Sequence, residues 1–166
     1  MRYNSIGEYF YRLSNRCLVL ALIPVILVWI AYLINQYFLS GLPWLQPGQK
    51  ILLIAIGGVG IIIILIFWVQ AGVVKSKLKK ILTEPSLGVK IKQYIPIVLI
   101  RFRSFSFMLL MIGLSVFLTA ELLFLYLLLV PLLLFMTYWP VRWRVSKDLR
   151  LKHEEKEILK NKALGV

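Results

Sequence analysis

The sequence contains few of the residues from which active sites are usually built. Its 166 residues include one cysteine (Cys17), one histidine (His153) and one aspartate (Asp148). A single cysteine excludes an intramolecular disulfide and a thiol-pair relay. One histidine in a charged tail supplies neither the base of a membrane Ser–His hydrolase nor an HExxH zinc site. One aspartate excludes an aspartyl dyad within the chain. We therefore predict a non-enzymatic protein with no cofactor and no metal site.

Charge is also missing from long stretches of the chain. Hydrophobic residues make up 60% of the sequence and the mean hydropathy is +0.84, more apolar surface than a soluble domain of this size can bury. A helix needs about 20 apolar residues to cross a hydrocarbon core of about 30 Å. The charge-free stretches predict four membrane spans, at about 17–39, 51–72, 104–119 and 122–139. The third could start as early as Tyr94, which would place two arginines partly inside it.

The charges that remain are distributed very unevenly. Nineteen of the twenty lysines and arginines lie before Cys17, between 73 and 103, or after Pro140, and the formal net charge is +13. The other short loops keep only Lys50 and Glu121, which cancel. Because basic residues in short loops stay in the cytoplasm, both termini and the central segment are predicted to be cytoplasmic. A nucleic-acid partner is not expected, since no groove-reading or base-stacking element accompanies the charge.

These observations predict an all-α integral membrane protein that forms one domain over residues 1–166. Its four transmembrane helices are expected to form two hairpins, with basic interfacial helices at the N-terminus, in the central loop and at the C-terminus. Residues 140–166 are expected to form a basic amphipathic cytoplasmic tail, in which Asp148 and Lys152 have the spacing of a helical ion pair. Gly57, Gly58 and Gly60 could allow a neighbouring helix to approach closely.

Three polar residues are candidates for function at the outer ends of the spans. Glu121 lies between the third and fourth spans, and Asn35 and Gln36 lie at the end of the first. An acid at membrane depth suggests a proton relay, a cation contact or an ion pair with a partner. The alternative is a turn residue that complements the positive end of the fourth helix, which Thr119 would cap.

The basic residues are candidates for contact with anionic lipid headgroups or with an acidic partner. Arg101 and Arg103 are expected to extend towards the headgroups from the start of the third span. The full set of candidates is Lys75, Lys77, Lys79, Lys80, Arg101, Arg103, Arg142 and Arg144.

The first functional hypothesis is an accessory or structural subunit of a larger complex in a bacterial inner membrane. Its spans offer packing surface for other membrane subunits, and its basic side faces anionic lipid. The alternative is a small homo-oligomeric transporter or channel component that uses the outer polar cluster around Glu121. The strong charge bias argues against dual topology of the small multidrug-exporter type. The bacterial assignment follows from the absence of an N-x-Ser/Thr site and of a cleavable leader.

Overall fold

The computed structural model describes residues 6–37, 49–119, 121 and 123–160, and within these ranges the chain is helical with no strand. The prediction of an all-α chain is confirmed. The ends of the predicted first span and of the predicted tail, 38–39 and 161–166, lie outside the described residues, as does position 122. The helices are α1 (Ile6–Tyr37), α2 (Gln49–Leu82), α3 (Leu87–Thr119), α4 (Leu123–Leu127), α5 (Leu129–Thr137), α6 (Arg142–Asp148) and α7 (His153–Lys160).

Three of these helices are long and apolar enough to cross a membrane. They are α1, α2 and α3, with 32, 34 and 33 residues. A helix of 34 residues is about 51 Å long, whereas the hydrocarbon core is about 30 Å thick. A fourth crossing by the same criteria requires Leu123–Thr137 to be combined with Arg142–Asp148, and the chain bends by 83° between these two parts.

The basic residues near α1, α2 and α3 lie within these long helices. The sequence predicted separate interfacial helices at the N-terminus and in the central loop. Instead α2 continues to Leu82 and α3 begins at Leu87, so only residues 83–86 connect them. Lysine and leucine favour helix, and no proline or glycine interrupts the chain from Val73 to Leu82. The helix ends before Pro85, which disfavours helical backbone in the residue that precedes it.

Helix α3 is the centre of the packing. Over the most apolar part of each helix, 56% of the residues of α3 are buried, against 17% for α1 and 6% for α2. Helices α1, α2, α4 and α5 all pack against α3. The sequence predicted that α1 and α2 would pair as a hairpin, but each makes its extensive contacts with α3. The remaining faces of α1 and α2 are exposed and apolar, as lipid-facing surfaces are.

Helices α1 and α3 run parallel and in constant register. The contacts that define this register join Tyr9 to Ile91, Leu20 to Ser106, Val28 to Gly113, and Asn35 to Phe117. The residue numbers increase in the same direction along both helices. A residue of α3 therefore lies level with the residue of α1 whose number is about 85 lower. The last charges before the apolar stretches, Arg16 in α1 and Arg103 in α3, therefore lie at about the same height.

One glycine allows the close approach of α1 and α3. A β-carbon added to Gly113 would lie 2.7 Å from Cγ2 of Val28, too close for any real contact. The sequence suggested Gly57, Gly58 and Gly60 for this role. Among the described residues that prediction was wrong, because a β-carbon at any of the three would meet none of their atoms within 4 Å. They lie on α2, which is the least buried of the three long helices.

Prolines divide the last apolar stretch. Pro131 lacks the N–H that would bond to the carbonyl of Leu127, and its ring crowds that carbonyl. Helix α4 accordingly ends at Leu127, and α5 begins at Leu129 with Pro131 in its first turn. Past Pro140 the chain turns by 83° into α6, so α6 crosses the end of the bundle instead of extending it.

A tight turn then reverses the chain between α6 and α7. The N–H of Leu151 donates to the carbonyl of Ser146 at 3.1 Å, and the N–H of Arg150 donates to the carbonyl of Lys147 at 3.2 Å. This pattern is the Schellman motif, which needs a left-handed residue just after the helix. Arg150 occupies that position with φ of 48°, the only positive φ of a described non-glycine residue. The turn buries Leu149 and Leu151.

Candidate functional site

A charged cluster joins the C-terminal helices to α3. One guanidinium nitrogen of Arg101 lies 2.9 Å from Oδ2 of Asp148, and the hydroxyl of Tyr94 donates to the same oxygen at 2.6 Å. The guanidinium carbon of Arg101 also lies 5.0 Å from the ring centre of Tyr138. Helix α3 thus supplies both a cation and a hydroxyl to the single aspartate of the chain, which lies at the end of α6, and the end of α5 supplies a ring face.

Arg101 and Tyr94 are buried, so each needs a partner within the protein. Arg101 is 8% exposed and Tyr94 is 1% exposed. A charge removed from water is costly unless it is paired and hydrogen-bonded. Asp148 provides the countercharge, and the tyrosine ring adds a cation–π contact. The sequence placed Arg101 at the headgroups, whereas the structure places it inside the protein because α6 returns over it.

A second ion pair anchors α7. Nζ of Lys90 donates to Oε1 of Glu155 at 3.1 Å, and the other carboxylate oxygen of Glu155 accepts from the backbone N–H of Lys152 at 2.8 Å. The latter bond is half of a capping box, in which the third residue of a helix reaches back to the residue before it. The backbone hydrogen bond from Lys152, together with Lys90, lowers the pKa of Glu155.

The pairing of Asp148 corrects a prediction from sequence spacing. The i,i+4 pattern suggested an ion pair between Asp148 and Lys152 on one helix. Helix α6 ends at Asp148 and a turn follows, so the two residues do not share a helical face. Asp148 pairs with Arg101, and Lys152 contributes its backbone to the start of α7.

The other predicted basic residues are exposed or half-buried, and we call them together the basic face. The lysines of α2 and Arg103 are exposed, while Arg142 and Arg144 are half-buried. The guanidinium carbon of Arg144 lies 5.4 Å from the ring centre of Tyr138, and that of Arg142 lies 5.8 Å from the ring centre of Phe10. The basic face consists of Lys75, Lys77, Lys79, Lys80, Arg103, Arg142 and Arg144.

Two open cavities adjoin this surface. One, of about 530 Å³, lies between α6 and α7 and is lined by Arg142, Trp143, Ser146, Lys147, Lys156 and Leu159. The other, of about 350 Å³, lies between α1 and α3 and is lined by Asn15, Arg16, Val19, Leu20, Leu99 and Arg103. Both combine cations with apolar side chains, and within the described part of the chain neither is lined by an acidic residue.

The predicted outer polar residues do not form a common site in the described part of the chain. Asn35 is buried, and its amide nitrogen donates to the carbonyl of Phe117 at 2.7 Å, which fixes the ends of α1 and α3 together. Gln36 is exposed. The backbone N–H of Glu121 lies 3.4 Å from Oγ1 of Thr119, whose hydroxyl bonds to the carbonyl of Ser115.

Sequence reasoning missed Tyr94, Asp148 and Glu155 as functional positions. The only signal for Asp148 was its uniqueness, and nothing local indicates that it pairs with a residue 47 positions away. No group of three His, Cys, Asp or Glu residues within the described ranges could hold a metal ion. Comparison of the chain with protein-family models, with curated proteins and with solved structures finds no match.

Proposed function

We propose that the chain is a non-enzymatic integral membrane protein whose basic face lies in the cytoplasm and binds anionic lipid headgroups or an acidic partner. In this proposal it is an accessory or structural subunit of a larger complex in a bacterial inner membrane. It crosses the membrane four times, as two consecutive hairpins along the chain, with α4 and α5 forming the last crossing and both termini inside.

The observation that carries the proposal is the common height of the charges. Helices α1 and α3 are parallel, and their cations lie at the same end, from Arg12 to Arg16 and from Lys90 to Arg103. The lysines of α2 lie at its C-terminal end, adjacent to the start of α3. Cations of short connections remain on the cytoplasmic side, and anionic lipid there attracts them.

The direction of α6 adds independent support. A helix that bends by 83° from α5 runs across the end of the bundle. Trp143 is 61% exposed there, between Arg142 and Arg144. Tryptophan beside arginine is typical of the interface between hydrocarbon and headgroups, where a ring and a cation can both be accommodated.

Thiol labelling tests the topology. Cys17 is buried and is replaced by serine, and single cysteines are introduced as Gln36→Cys and Lys79→Cys, both at exposed positions. We expect a membrane-impermeant maleimide to label Gln36→Cys in intact cells and Lys79→Cys only after lysis. Equal labelling of the two in intact cells would contradict the proposed orientation.

Purification in mild detergent tests the role as a subunit. We expect the full chain to co-purify with other membrane proteins in a fixed stoichiometry that survives gel filtration. A Lys75→Gln, Lys77→Gln, Lys79→Gln and Lys80→Gln variant should bind vesicles with anionic lipid less well, or lose an acidic partner. A lone homo-oligomer that retains no partner would instead favour the transporter alternative, for which the described residues assemble no polar pathway.

A further inference from the structure

We propose that the cavity between α1 and α3 is a binding slot for one anionic phospholipid, with the lipid phosphate held by Arg16 and Arg103. We call this cavity the α1–α3 slot. The inference rests on the proposed function, because it assumes that the slot lies at the lipid headgroups. It adds a defined site, and it adds Arg16 and Asn15 to the residues that contact lipid.

The lining of the slot has the polarity of a phospholipid. Arg16, Arg103 and the amide of Asn15 supply hydrogen-bond donors from two different helices. Apolar side chains complete the wall, from Val19 and Leu20 on α1 and Leu99 on α3. A volume of about 350 Å³ falls within the range of small-ligand sites, about 300–1,000 Å³.

The height of the slot matches the boundary of the hydrocarbon. Arg16 directly precedes the charge-free stretch of α1, and Arg103 directly precedes that of α3. Because the two helices are parallel and in register, both guanidiniums lie at the end of the apolar zone. A lipid whose acyl chains cover the exposed surfaces of α1 would place its phosphate at this height.

The lining of the slot carries positive charge from both helices. Three nearby cations have acidic partners within the protein, since Arg101 contacts Asp148, Lys90 contacts Glu155, and Arg12 contacts Glu8. Arg103 forms no ion pair with any described residue, and none of the described residues that line the slot is an acid. Guanidinium groups bind phosphate through two parallel hydrogen bonds, and basic pockets between membrane helices bind lipid headgroups.

Native mass spectrometry of the full chain, released from micelles that contain phosphatidylglycerol and phosphatidylcholine, tests this slot. We expect one tightly bound phosphatidylglycerol in the wild type. The Arg16→Gln and Arg103→Gln double variant should bind it roughly 25-fold more weakly, at about fivefold per cation. Removal of two other exposed cations, in the Lys92→Gln and Lys152→Gln variant, should leave it bound.

Several results would overturn the slot. Retention of the lipid by the double variant, or equal loss in the control variant, would show that binding is diffuse. If inorganic phosphate alone binds Arg16 and Arg103 as tightly as the lipid does, the site takes free phosphate. A milder variant, Asn15→Ala, should weaken binding without affecting folding, which circular dichroism monitors; unaltered binding by this variant counts against the slot.

The same samples separate failure of the slot from failure of the proposed function. If the slot is wrong but the basic face binds lipid, the double variant keeps its preference for phosphatidylglycerol while the quadruple lysine variant of α2 loses it. If the wild type itself shows no preference for phosphatidylglycerol over phosphatidylcholine, the lipid branch of the proposed function fails together with the slot.

Discussion

Replacement of Asp148 by alanine should release the C-terminal helices from α3. The substitution removes the countercharge of Arg101 and the acceptor of the Tyr94 hydroxyl, and it leaves both groups buried. Breaking a buried ion pair by removing one partner costs about 3–5 kcal/mol. The side chain of Asp148 is 21% exposed, so water can partly replace it and the lower end applies. About 3 kcal/mol corresponds to a change of about 100-fold in the equilibrium between docked and released helices.

Limited trypsin digestion of the protein in nanodiscs measures this release. The turn between α6 and α7 contains Arg150 and Lys152, which trypsin reaches when the helices detach. We expect Asp148→Ala to be cut there far faster than the wild type. Glu154→Ala is the matched control, because Glu154 is an exposed acid with no contact to Arg101. Equal cleavage of the two variants would refute the structural role of the charged cluster.

A double substitution distinguishes the ion pair from general damage. Arg101→Met with Asp148→Leu removes both charges and keeps apolar volume, and such replacements of buried pairs are often neutral or stabilising. We expect this variant to resist trypsin better than Asp148→Ala alone. Strictly additive effects of the two substitutions would contradict a direct interaction between the residues.

Other predictions concern single positions. Gly113→Ala should destabilise the protein by about 1–3 kcal/mol in thermal unfolding, because α1 and α3 must separate, whereas Gly58→Ala, with open space around it, should not. Arg150→Gly should raise stability by about 1 kcal/mol, since glycine adopts a left-handed backbone without strain. Because docking of α7 lowers the pKa of Glu155, the ionised carboxylate stabilises the docked helix at pH values above the ordinary carboxyl pKa. This stabilisation is lost as the pH falls through the lowered pKa. Trypsin cannot be used at these acidic pH values, so hydrogen exchange of α7, measured between roughly pH 5 and pH 3, should show the loss. The Glu155→Gln variant should abolish the pH dependence of α7 docking.

The apolar helices were predictable because membrane insertion depends on local composition. A stretch of about 20 apolar residues can be recognised as a membrane span from its own composition, without knowledge of the residues that it contacts. The helix ends were harder to place, because lysines at the end of α2 and at the start of α3 are compatible both with helix and with an interfacial loop. The structure continues α2 through Lys79 and begins α3 before Lys90, so both basic segments are helical.

The packing of the helices was not predictable from the same pattern. In lipid, both the buried and the exposed faces of a helix are apolar, so periodicity does not show which face contacts a neighbour. The glycines of α2 looked like contact positions, yet Gly113 of α3 is where a neighbour approaches closely. The pairing of Arg101 with Asp148 depends on the 83° turn after α5 and on the Schellman turn before α7, neither of which hydropathy indicates.

The structure divides the cations of the charged end into two groups with different physical roles. Arg101 and Lys90 face acids of the returning C-terminal helices, so they hold the fold together. Arg103 is only two residues from Arg101, but on a helix this spacing directs it to another side, towards α1. Net charge alone would assign both arginines to lipid. Burial separates them, because a buried guanidinium needs an internal carboxylate, whereas an exposed one beside an apolar wall can bind an anion from the membrane.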